Sequence, residues 1–288
     1  MKKILCIFLS VITVGMLFSS CSKVGEYTFD KTVDAGLSIV TFNCAAPWGS
    51  YSNGTSSGKR VKLFAAYMNA VKPDLIGTQE MNSKWQEKLS ELMPDYACYG
   101  VKRGGDDKER TSEMNSIFWK KDKFTCIFQD TFWLSESVST EGKFPGAGCN
   151  RICSFVILQN NETLETIIHL NTHLDNESEA ARQYGAAIIM SKVEMLLDEY
   201  TGAKIILTGD LNCEKDSEAY SAFALKLNDC SDIYEGDSKA TYQNWGQTDE
   251  GTPIDFIFTN GEAVNYQYLD DISNGYVSDH YGLYAQIN

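Results

Sequence analysis

The chain has 288 residues, 43% of them hydrophobic, and a formal net charge of -14. This length and composition can bury a large core, and no Pro-rich stretch, low-complexity segment or solenoid repeat follows residue 30, so we expect one continuous domain. The acidic charge argues against a tight binder of duplex nucleic acid. It does not exclude a nuclease, because a local basic patch and bound metal ions can still receive phosphate.

The N-terminus has the layout of an export signal. Lys2 and Lys3 precede an apolar run at residues 4–18, which is too short to favour a spanning helix, and Ser-Ser-Cys21 follows. The pattern predicts a signal peptide at residues 1–20, a lipid on Cys21 and a short tether at 21–35, followed by the single domain at 36–288. We expect an exported lipoprotein of the cell envelope, in the periplasm or on the outer membrane, tethered to the membrane by its N-terminal lipid. The alternative is a plain signal peptide and a soluble secreted protein. Without Lys2 and Lys3 the charge of -14 becomes -16.

Apolar strand-like segments alternate with amphipathic helical ones along the rest of the chain. Helical spacing predicts helices at Lys59–Lys72, Ser83–Met93 and Ser178–Tyr200. Apolar runs predict strands at Leu37–Asn43, Leu75–Thr78, Ser116–Lys120, Thr125–Trp133, Arg151–Gln159, Leu164–His173, Lys204–Thr208, Ile254–Phe258 and Tyr281–Ile287. Residues 136–150 read as a loop. This mixture of hairpins and crossovers predicts packed sheets flanked by helices.

Seven cysteines follow Cys21, an odd number that cannot all pair. The chain has no CxxC motif and only three histidines, so a zinc cluster has few candidate ligands. We expect these cysteines to be small buried side chains with one or two disulfides among them.

Polar residues follow several of the apolar strands, where a buried carboxylate is costly without a metal or another cation. Gly209-Asp210-Leu211-Asn212 is one example: Asp210 and Asn212 stand two apart and can point to one side, next to a water. An ordinary β-turn would favour the same residues.

The strand that ends in Asn171-Thr172-His173 has one polar face. Strand alternation places His169, Asn171 and His173 on the same side. A lone histidine in a strand is more often a core residue, and we keep that interpretation for His169. For His173, the neighbouring Asn171 favours a functional site.

Two further motifs carry charge at strand ends. Gln79-Glu80 ends an apolar strand in a carboxylate that suits Mg²⁺ or Mn²⁺, although a surface acid at the start of a helix would look the same. Ser278-Asp279-His280 precedes the last strand, and an imidazole beside acids can change its charge near neutral pH.

In this order and over nearly the whole mature chain, these segments resemble the endonuclease/exonuclease/phosphatase superfamily, the deoxyribonuclease-I-like hydrolases. Each motif is short, but their order and spacing together are highly specific. The matching residues are Thr41-Phe42-Asn43, Gln79-Glu80, Asn150-Arg151, Asn171-Thr172-His173, Gly209-Asp210-Leu211-Asn212, Ile254-Asp255 and Ser278-Asp279-His280. The resemblance implies an α/β fold, a four-layer α/β/β/α sandwich of two mixed β-sheets flanked by helices, with the active site at one end.

The resemblance also implies a metal and a water. Glu80 would hold a divalent ion, Mg²⁺ or Mn²⁺, with Asn43 and Asp279 close by. Asp210 and Asn212 would orient and deprotonate the attacking water.

The remaining motif residues would act on the substrate. Asp255 would pair with His280, whose imidazolium can stabilise phosphoryl oxygens. His173 would face the leaving group, backed by Glu113, with Asn115 as the alternative site residue. Substrate phosphate would meet Arg151 and Asn171.

These roles predict a metal-dependent hydrolase in which an activated water directly attacks a phosphoester. A phosphodiester is the substrate class that we expect first. The alternative enzyme activities are a phosphatase acting on sugar or inositol phosphates and a sphingomyelinase-like lipid hydrolase. The alternative outside the enzymes is a non-catalytic surface binding module on the same fold. The partner is a phosphoester of a small molecule, a lipid head group or a nucleic acid, and we expect a monomer.

Overall fold

A computed structural model describes residues 24–30, 36–46, 55–105 and 112–288. The predicted signal peptide and Cys21 lie outside these residues. Part of the predicted tether is packed against the domain: Tyr27 stacks on Tyr67 with ring centroids 4.3 Å apart, and Phe29 meets the edge of Tyr284. No helix within the described ranges is long and apolar enough to cross a membrane.

Within the described residues, twelve strands form two six-stranded mixed sheets. In chain order they are β1 (Leu37–Asn43), β2 (Leu75–Met81), β3 (Tyr96–Tyr99), β4 (Met114–Lys120), β5 (Phe124–Trp133), β6 (Ile152–Asn160), β7 (Thr166–His173), β8 (Lys204–Asp210), β9 (Asn228–Asp229), β10 (Asp255–Thr259), β11 (Ala263–Leu269) and β12 (Gly282–Ile287). The first sheet has the order β11-β12-β1-β2-β4-β3, and the second has the order β5-β6-β7-β8-β10-β9.

The part of the chain that the structure describes has four α-helices, which cover the outer faces: α1 (Ser57–Val71), α2 (Ser83–Leu92), α3 (Glu179–Glu199) and α4 (Glu218–Ala224). Each begins after a residue whose side chain accepts a backbone N–H of the first turn, such as Ser178 before α3. The apolar side of α1 packs on the first sheet and that of α3 on the second. A third cluster, including Ile39, Ile206 and Ile257, fills the space between the sheets. The predicted four-layer sandwich is confirmed.

Several elements escaped the sequence pattern. The edge strands β3, β9 and β11 and the short helix α4 were not predicted. β11 is only partly buried and alternates weakly, which removes the signal that identified the central strands. The predicted disulfides are wrong for the structure: all seven cysteines in the described ranges are free thiols, four of them buried.

The strand register fixes where the functional side chains meet. β1 and β2 are parallel, with Asn43 opposite Gln79, and β7 and β8 are parallel, with His173 opposite Asp210. Antiparallel β10 starts at the same level, because Asp255 is opposite Asp210. All these strands therefore deliver polar residues to one end of the sandwich.

Candidate active site

A cavity of about 380 Å³ opens at this end of the sandwich. Its lining contains most of the residues that the motifs predicted. It consists of Glu80, Arg103, Glu113, Cys149, Arg151, His173, Asn176, Asp210, Asn212, Tyr242, Ile254, Asp279 and His280. Asn43 and Asp255 support it from below.

Asn43 joins the two sheets under the cavity. It is fully buried, and its amide nitrogen donates to Glu80 Oε1 at 3.1 Å and to Asp210 Oδ2 at 2.9 Å. Its carbonyl oxygen accepts the backbone N–H of Ala45 at 2.9 Å, which fixes the amide orientation. Asn43 therefore ties the metal candidate Glu80 to the water candidate Asp210.

Asp210 is held by hydrogen bonds, and the ionisable groups nearest to it are two histidine rings and a second carboxylate. The backbone N–H of Asn212 donates to Oδ1 at 2.9 Å, and the Asn212 amide donates to the carbonyl of Leu174 at 3.0 Å. Burial, followed by the charge of Asp255, raises the pKa of Asp210 to about 7, against the opposing effect of His280. A carboxylate of this kind can accept a proton near neutral pH.

His280 forms the predicted pair with Asp255. The distance from Nδ1 to Asp255 Oδ2 is 2.8 Å, and Nε2 lies 3.8 Å from Asp210 Oδ2. Burial works to lower the pKa of His280, but the carboxylates of Asp255, Asp210 and Asp279 outweigh it and raise the pKa to about 10. The ring is therefore an imidazolium at neutral pH.

His173 lies on the other side of Asp210 and has the opposite character. Its Nε2 lies 3.6 Å from Asp210 Oδ2. Burial, and after it the positive charges of Arg151, Arg103 and His280, hold the pKa of His173 well below its ordinary value. The cavity thus contains one neutral and one charged imidazole, a division that suits proton transfer at one position and charge stabilisation at the other.

Glu80 and Asp279 form the candidate metal site. Glu80 has a left-handed backbone, with φ 55°, and its Oε2 accepts the N–H of Ala46 at 2.7 Å. Such strain persists only where the surroundings impose it. Burial raises the pKa of Asp279, and the nearby Glu80 carboxylate adds to this against the effect of His280. Two adjacent carboxylates that repel each other fit a hard divalent cation.

A second acidic group lies deeper. The ligand atoms of Asp210, Asp255 and His280 all lie within 4.8 Å of one another, a spacing at which a metal ion could be held. In the structure, however, His280 Nδ1 is already used by its ion pair with Asp255. Glu80 and Asp279 therefore remain the candidate metal ligands, and the buried trio forms a charge network.

The opposite wall of the cavity carries two arginines. Arg151 donates through Nη2 to Asn176 Oδ1 at 2.7 Å, and its Nε lies 3.4 Å from Asp175 Oδ2. Arg103 forms an ion pair with Glu113, with Nη1 and Oε2 2.7 Å apart. Glu113, predicted as the partner of His173, is thus bound to an arginine that the sequence analysis missed. Both guanidiniums are fixed and mostly buried, as anion recognition requires.

Besides Asn43 and Asp255, which support the cavity from below, two predicted residues do not line it. Asn115 donates to the carbonyl of Ile152 at 2.8 Å and lies in a narrow recess behind the wall. Asn171, predicted to contact phosphate, is fully buried between the sheets. Its amide donates to the carbonyls of Thr78 and Ser116 at 2.8 and 3.1 Å. These contacts satisfy the amide and leave it no route to a substrate.

A buried polar layer runs one level below the cavity. Asn171 Oδ1 accepts from Gln79 Nε2 at 2.7 Å and from Thr208 Oγ1 at 3.0 Å. Thr208 in turn contacts His169 Nε2 at 2.9 Å, so His169 is the core residue that we expected. A Cβ on Gly77 would lie 2.0 Å from Thr208 Oγ1, so only glycine allows this close approach of the sheets. The layer fixes the relative position of the two sheets.

Arg103, Cys149, Asn176 and Tyr242 are the cavity residues that sequence reasoning missed. Arg103 follows β3 in an irregular segment, and no motif marks it; its carbonyl accepts the indole N–H of Trp133 at 2.9 Å. Tyr242 is 40% exposed and meets the His280 ring edge-on at 5.2 Å. Aromatic residues in loops give no local signal of a site, because the same residue type also fills cores.

Comparison with known proteins identifies the family to which this chain is similar. The sequence model of the Endonuclease/Exonuclease/phosphatase family matches residues 40–280. A curated relative, the probable CCR4-Not complex 3'-5'-exoribonuclease subunit Ccr4 of Vairimorpha ceranae, is 25% identical over 201 residues. The matched region is 58% of this chain and 41% of that protein, so the chain spans less than half of the relative's length.

Solved structures match over more of the chain. A mannosyl-6-phosphatase of Bacteroides thetaiotaomicron has a TM-score of 0.79 and 26% identity, covering 88% of this chain and 100% of that one. An endonuclease/exonuclease/phosphatase family protein of the same organism has a TM-score of 0.78 and 26% identity, covering 88% and 98%. The human Nocturnin catalytic domain, at 19% identity and TM-score 0.69 over 88% of this chain and 94% of that one, shares the fold.

Proposed function

Because this chain belongs to the endonuclease/exonuclease/phosphatase family and is a phosphoester hydrolase, we propose that it cleaves phosphate monoesters of small polyhydroxylated molecules such as sugars, using a divalent ion. The size of the cavity carries the proposal. About 380 Å³ lies at the lower end of the range of small-molecule sites, roughly 300–1,000 Å³. The acidic surface and the likeness to a mannosyl-6-phosphatase support a small substrate rather than a long polyanion.

The charges around the cavity support metal dependence. Four carboxylates, those of Glu80, Glu113, Asp210 and Asp279, face two guanidiniums and one imidazolium. This balance leaves one net negative charge, which would repel a phosphate dianion. A divalent cation reverses the sign, and Mg²⁺ or Mn²⁺ supplies a Lewis acid that neutralises charge on the phosphoryl and departing oxygens.

Each of the cavity side chains has a separate role in the proposed hydrolysis. A water beside Asp210 and Asn212 attacks phosphorus while its proton passes to the Asp210 carboxylate. The bond from phosphorus to the sugar oxygen breaks, that oxygen takes a proton from solvent to leave as the alcohol, and Asp210 then releases its own proton to solvent. The imidazolium of His280 stabilises negative charge on the phosphoryl oxygens. Arg151 and Arg103 bind the anionic part of the substrate, and the neutral ring of His173 donates a hydrogen bond to the departing oxygen. No covalent intermediate is required.

Phosphodiester hydrolysis is the second candidate activity, and the curated exoribonuclease relative favours it.

We also propose a location for the protein, as a monomer at the cell envelope. The sequence pattern of residues 1–21 supports attachment to the membrane through a lipid on Cys21. In that position the enzyme would release phosphate from small molecules outside the cytoplasm.

A substrate panel tests the proposal. Purified full-length protein with Mg²⁺ is given mannose 6-phosphate, inositol phosphate, bis-p-nitrophenyl phosphate, RNA and sphingomyelin, and phosphate or product release is measured. We expect the sugar phosphate to be preferred over the diesters by roughly tenfold or more in kcat/KM. EDTA and Glu80→Gln should abolish turnover, whereas Glu91→Gln, the same change at an exposed position of α2, should not. Preference for RNA or the synthetic diester would overturn the proposal.

A further inference from the structure

Arg60 is a fully buried arginine outside the cavity, on the inner side of α1. Its guanidinium lies between two indole rings, 5.0 Å from the ring centroid of Trp85 and 5.2 Å from that of Trp245. Trp85 belongs to α2, and Trp245 to a short turn that precedes β10. A leucine or methionine would fill the space between two aromatic rings at a lower desolvation cost, so the charge and its donors require another explanation.

The guanidinium joins two segments that are far apart in the sequence. Nη1 donates to the carbonyls of Cys44 at 2.7 Å and Val277 at 3.2 Å, and Nη2 donates to the carbonyl of Ala45 at 2.7 Å. A planar fork with fixed N–H directions can hold three carbonyls at once, which a lysine ammonium does less rigidly. Arg60 therefore fixes the chain after β1 against the chain before β12.

Each of these segments leads directly to a metal candidate. Ala46, next to the clamped Ala45, donates its N–H to Glu80 Oε2 at 2.7 Å. Asp279 follows the clamped Val277 by two residues. Ala45 and Glu80 both have left-handed backbones, with φ 50° and 55°, which the surroundings must hold in place.

We propose that Arg60 is a positioning residue that sets the separation of the Glu80 and Asp279 carboxylates and thereby the affinity for the divalent ion. This inference rests on the proposed metal-dependent function. Arg60 touches neither substrate nor metal; it acts through the backbone of residues 44–46 and 277–279. Its loss allows the two carboxylates to move apart, as they repel each other.

Metal binding to the full-length protein tests this inference without a substrate. The dissociation constant for Mn²⁺ is measured from the free-ion EPR signal in wild-type protein, Arg60→Lys and Arg60→Met, and the Tm of each is measured in EDTA. Met68→Ala serves as the matched control, because Met68 is fully buried on the same helix and packs in the same core cluster as Cys44 and Val277 but has no N–H to donate to their carbonyls. Glu80→Gln reports on the metal site itself.

We expect Arg60→Met to weaken Mn²⁺ binding by ~10–100-fold, as is typical of residues that orient metal ligands, and Arg60→Lys to weaken it less. Met68→Ala should lower Tm with unchanged Mn²⁺ affinity. In Arg60→Lys, kcat should recover at saturating Mn²⁺ while the half-saturating Mn²⁺ concentration rises. If Arg60→Met fails to fold, the lysine variant decides.

Two results overturn the inference alone. The first is that folded Arg60→Lys and Arg60→Met bind Mn²⁺ with wild-type affinity. The second is that Met68→Ala loses as much Mn²⁺ affinity as the variants at Arg60. If wild-type protein and Glu80→Gln bind Mn²⁺ equally, the metal site of the proposed function is wrong and the inference falls with it.

Discussion

Two aspartates at opposite ends of the sandwich are equally buried but differ in their hydrogen-bond and charge partners. Asp74 precedes β2 and is 1% exposed; Asp210 ends β8 and is 2% exposed. Asp74 accepts the N–H and hydroxyl of Ser38 at 3.0 and 2.8 Å and lies 2.7 Å from the ammonium of Lys123. Asp210 has two amide donors, two histidines beyond 3.5 Å and a second carboxylate nearby.

The difference appears in their acidity. Burial works to raise the pKa of both carboxylates. At Asp74, the hydrogen bond and charge of Lys123 and the hydrogen bonds from Ser38 outweigh burial and hold the pKa below its ordinary value. At Asp210 burial and Asp255 prevail, and the pKa rises to about 7. Burial alone therefore does not identify a functional acid. A carboxylate matched by cations stabilises the fold, and one left beside another carboxylate is available for chemistry.

The largest expected effect is on turnover in Asp210→Asn. The amide keeps the contact with Asn43 but cannot accept a proton, so we expect kcat to fall by roughly 10²–10⁴-fold. Tm should remain equal to or above that of wild type, because a disfavoured buried charge is removed. Steady-state kinetics and calorimetry on the same preparation measure both quantities. An unchanged kcat would remove Asp210 from the mechanism.

Asp74→Asn should give the reverse result. The amide loses the charge that Lys120 and Lys123 face, 3.4 and 2.7 Å away, and weakens the contacts with Ser38. We expect the free energy of unfolding to fall by about 1.5–3 kcal/mol, the worth of hydrogen bonds to a charged group. Urea unfolding measures this loss. kcat and KM should match wild type, and a change in kcat would mean that the two ends of the sandwich are coupled.

Asn171→Ala tests the boundary between the two regions. The substitution removes the acceptor Asn171 Oδ1 from Gln79 Nε2 and the amide donor from the carbonyls of Thr78 and Ser116. Gln79 Nε2 keeps Thr41 Oγ1 and the Ser116 carbonyl keeps Thr78 Oγ1, so we expect a loss of roughly 1–3 kcal/mol in total. We expect a lower Tm with little change in KM. A higher KM at unchanged stability would instead support the direct phosphate contact implied by family resemblance.

The sequence predicted which polar residues meet at this end of the sandwich, because most of them follow apolar strands. A strand that ends in polar residues delivers them to one edge of a sheet, and parallel pairing placed Asn43 beside Gln79 and His173 beside Asp210. Alternation also correctly put His169, Asn171 and His173 on one face. It could not reveal that the opposing sheet covers all of that face except its last residue.

Residues outside the strands were harder to predict. Arg103 belongs to the cavity because Glu113 and the Trp133 indole hold it there, and those contacts cross ten and thirty residues of sequence. Arg60 lies on the buried face of α1, where a charged residue breaks the apolar pattern. That break in the pattern was the available signal, but only tertiary contacts give it a meaning.

The smallest predicted effect concerns the pH dependence of stability at the Asp74 end. The folded pKa of Asp74 lies below the unfolded value of about 3.9, so its contribution is complete above the unfolded pKa and is lost as the pH falls through the folded one. Urea unfolding between about pH 3 and 7 should therefore show a gap between wild type and Asp74→Asn that is constant near neutrality and narrows below about pH 4. Lys123→Met removes the nearest cation and brings the folded pKa of Asp74 closer to the unfolded one, so in that background the gap near neutrality should be smaller and its narrowing should end at a higher pH. A gap independent of pH would show that neutral hydrogen bonds to Ser38, rather than the ion pairs, stabilise this end of the sandwich.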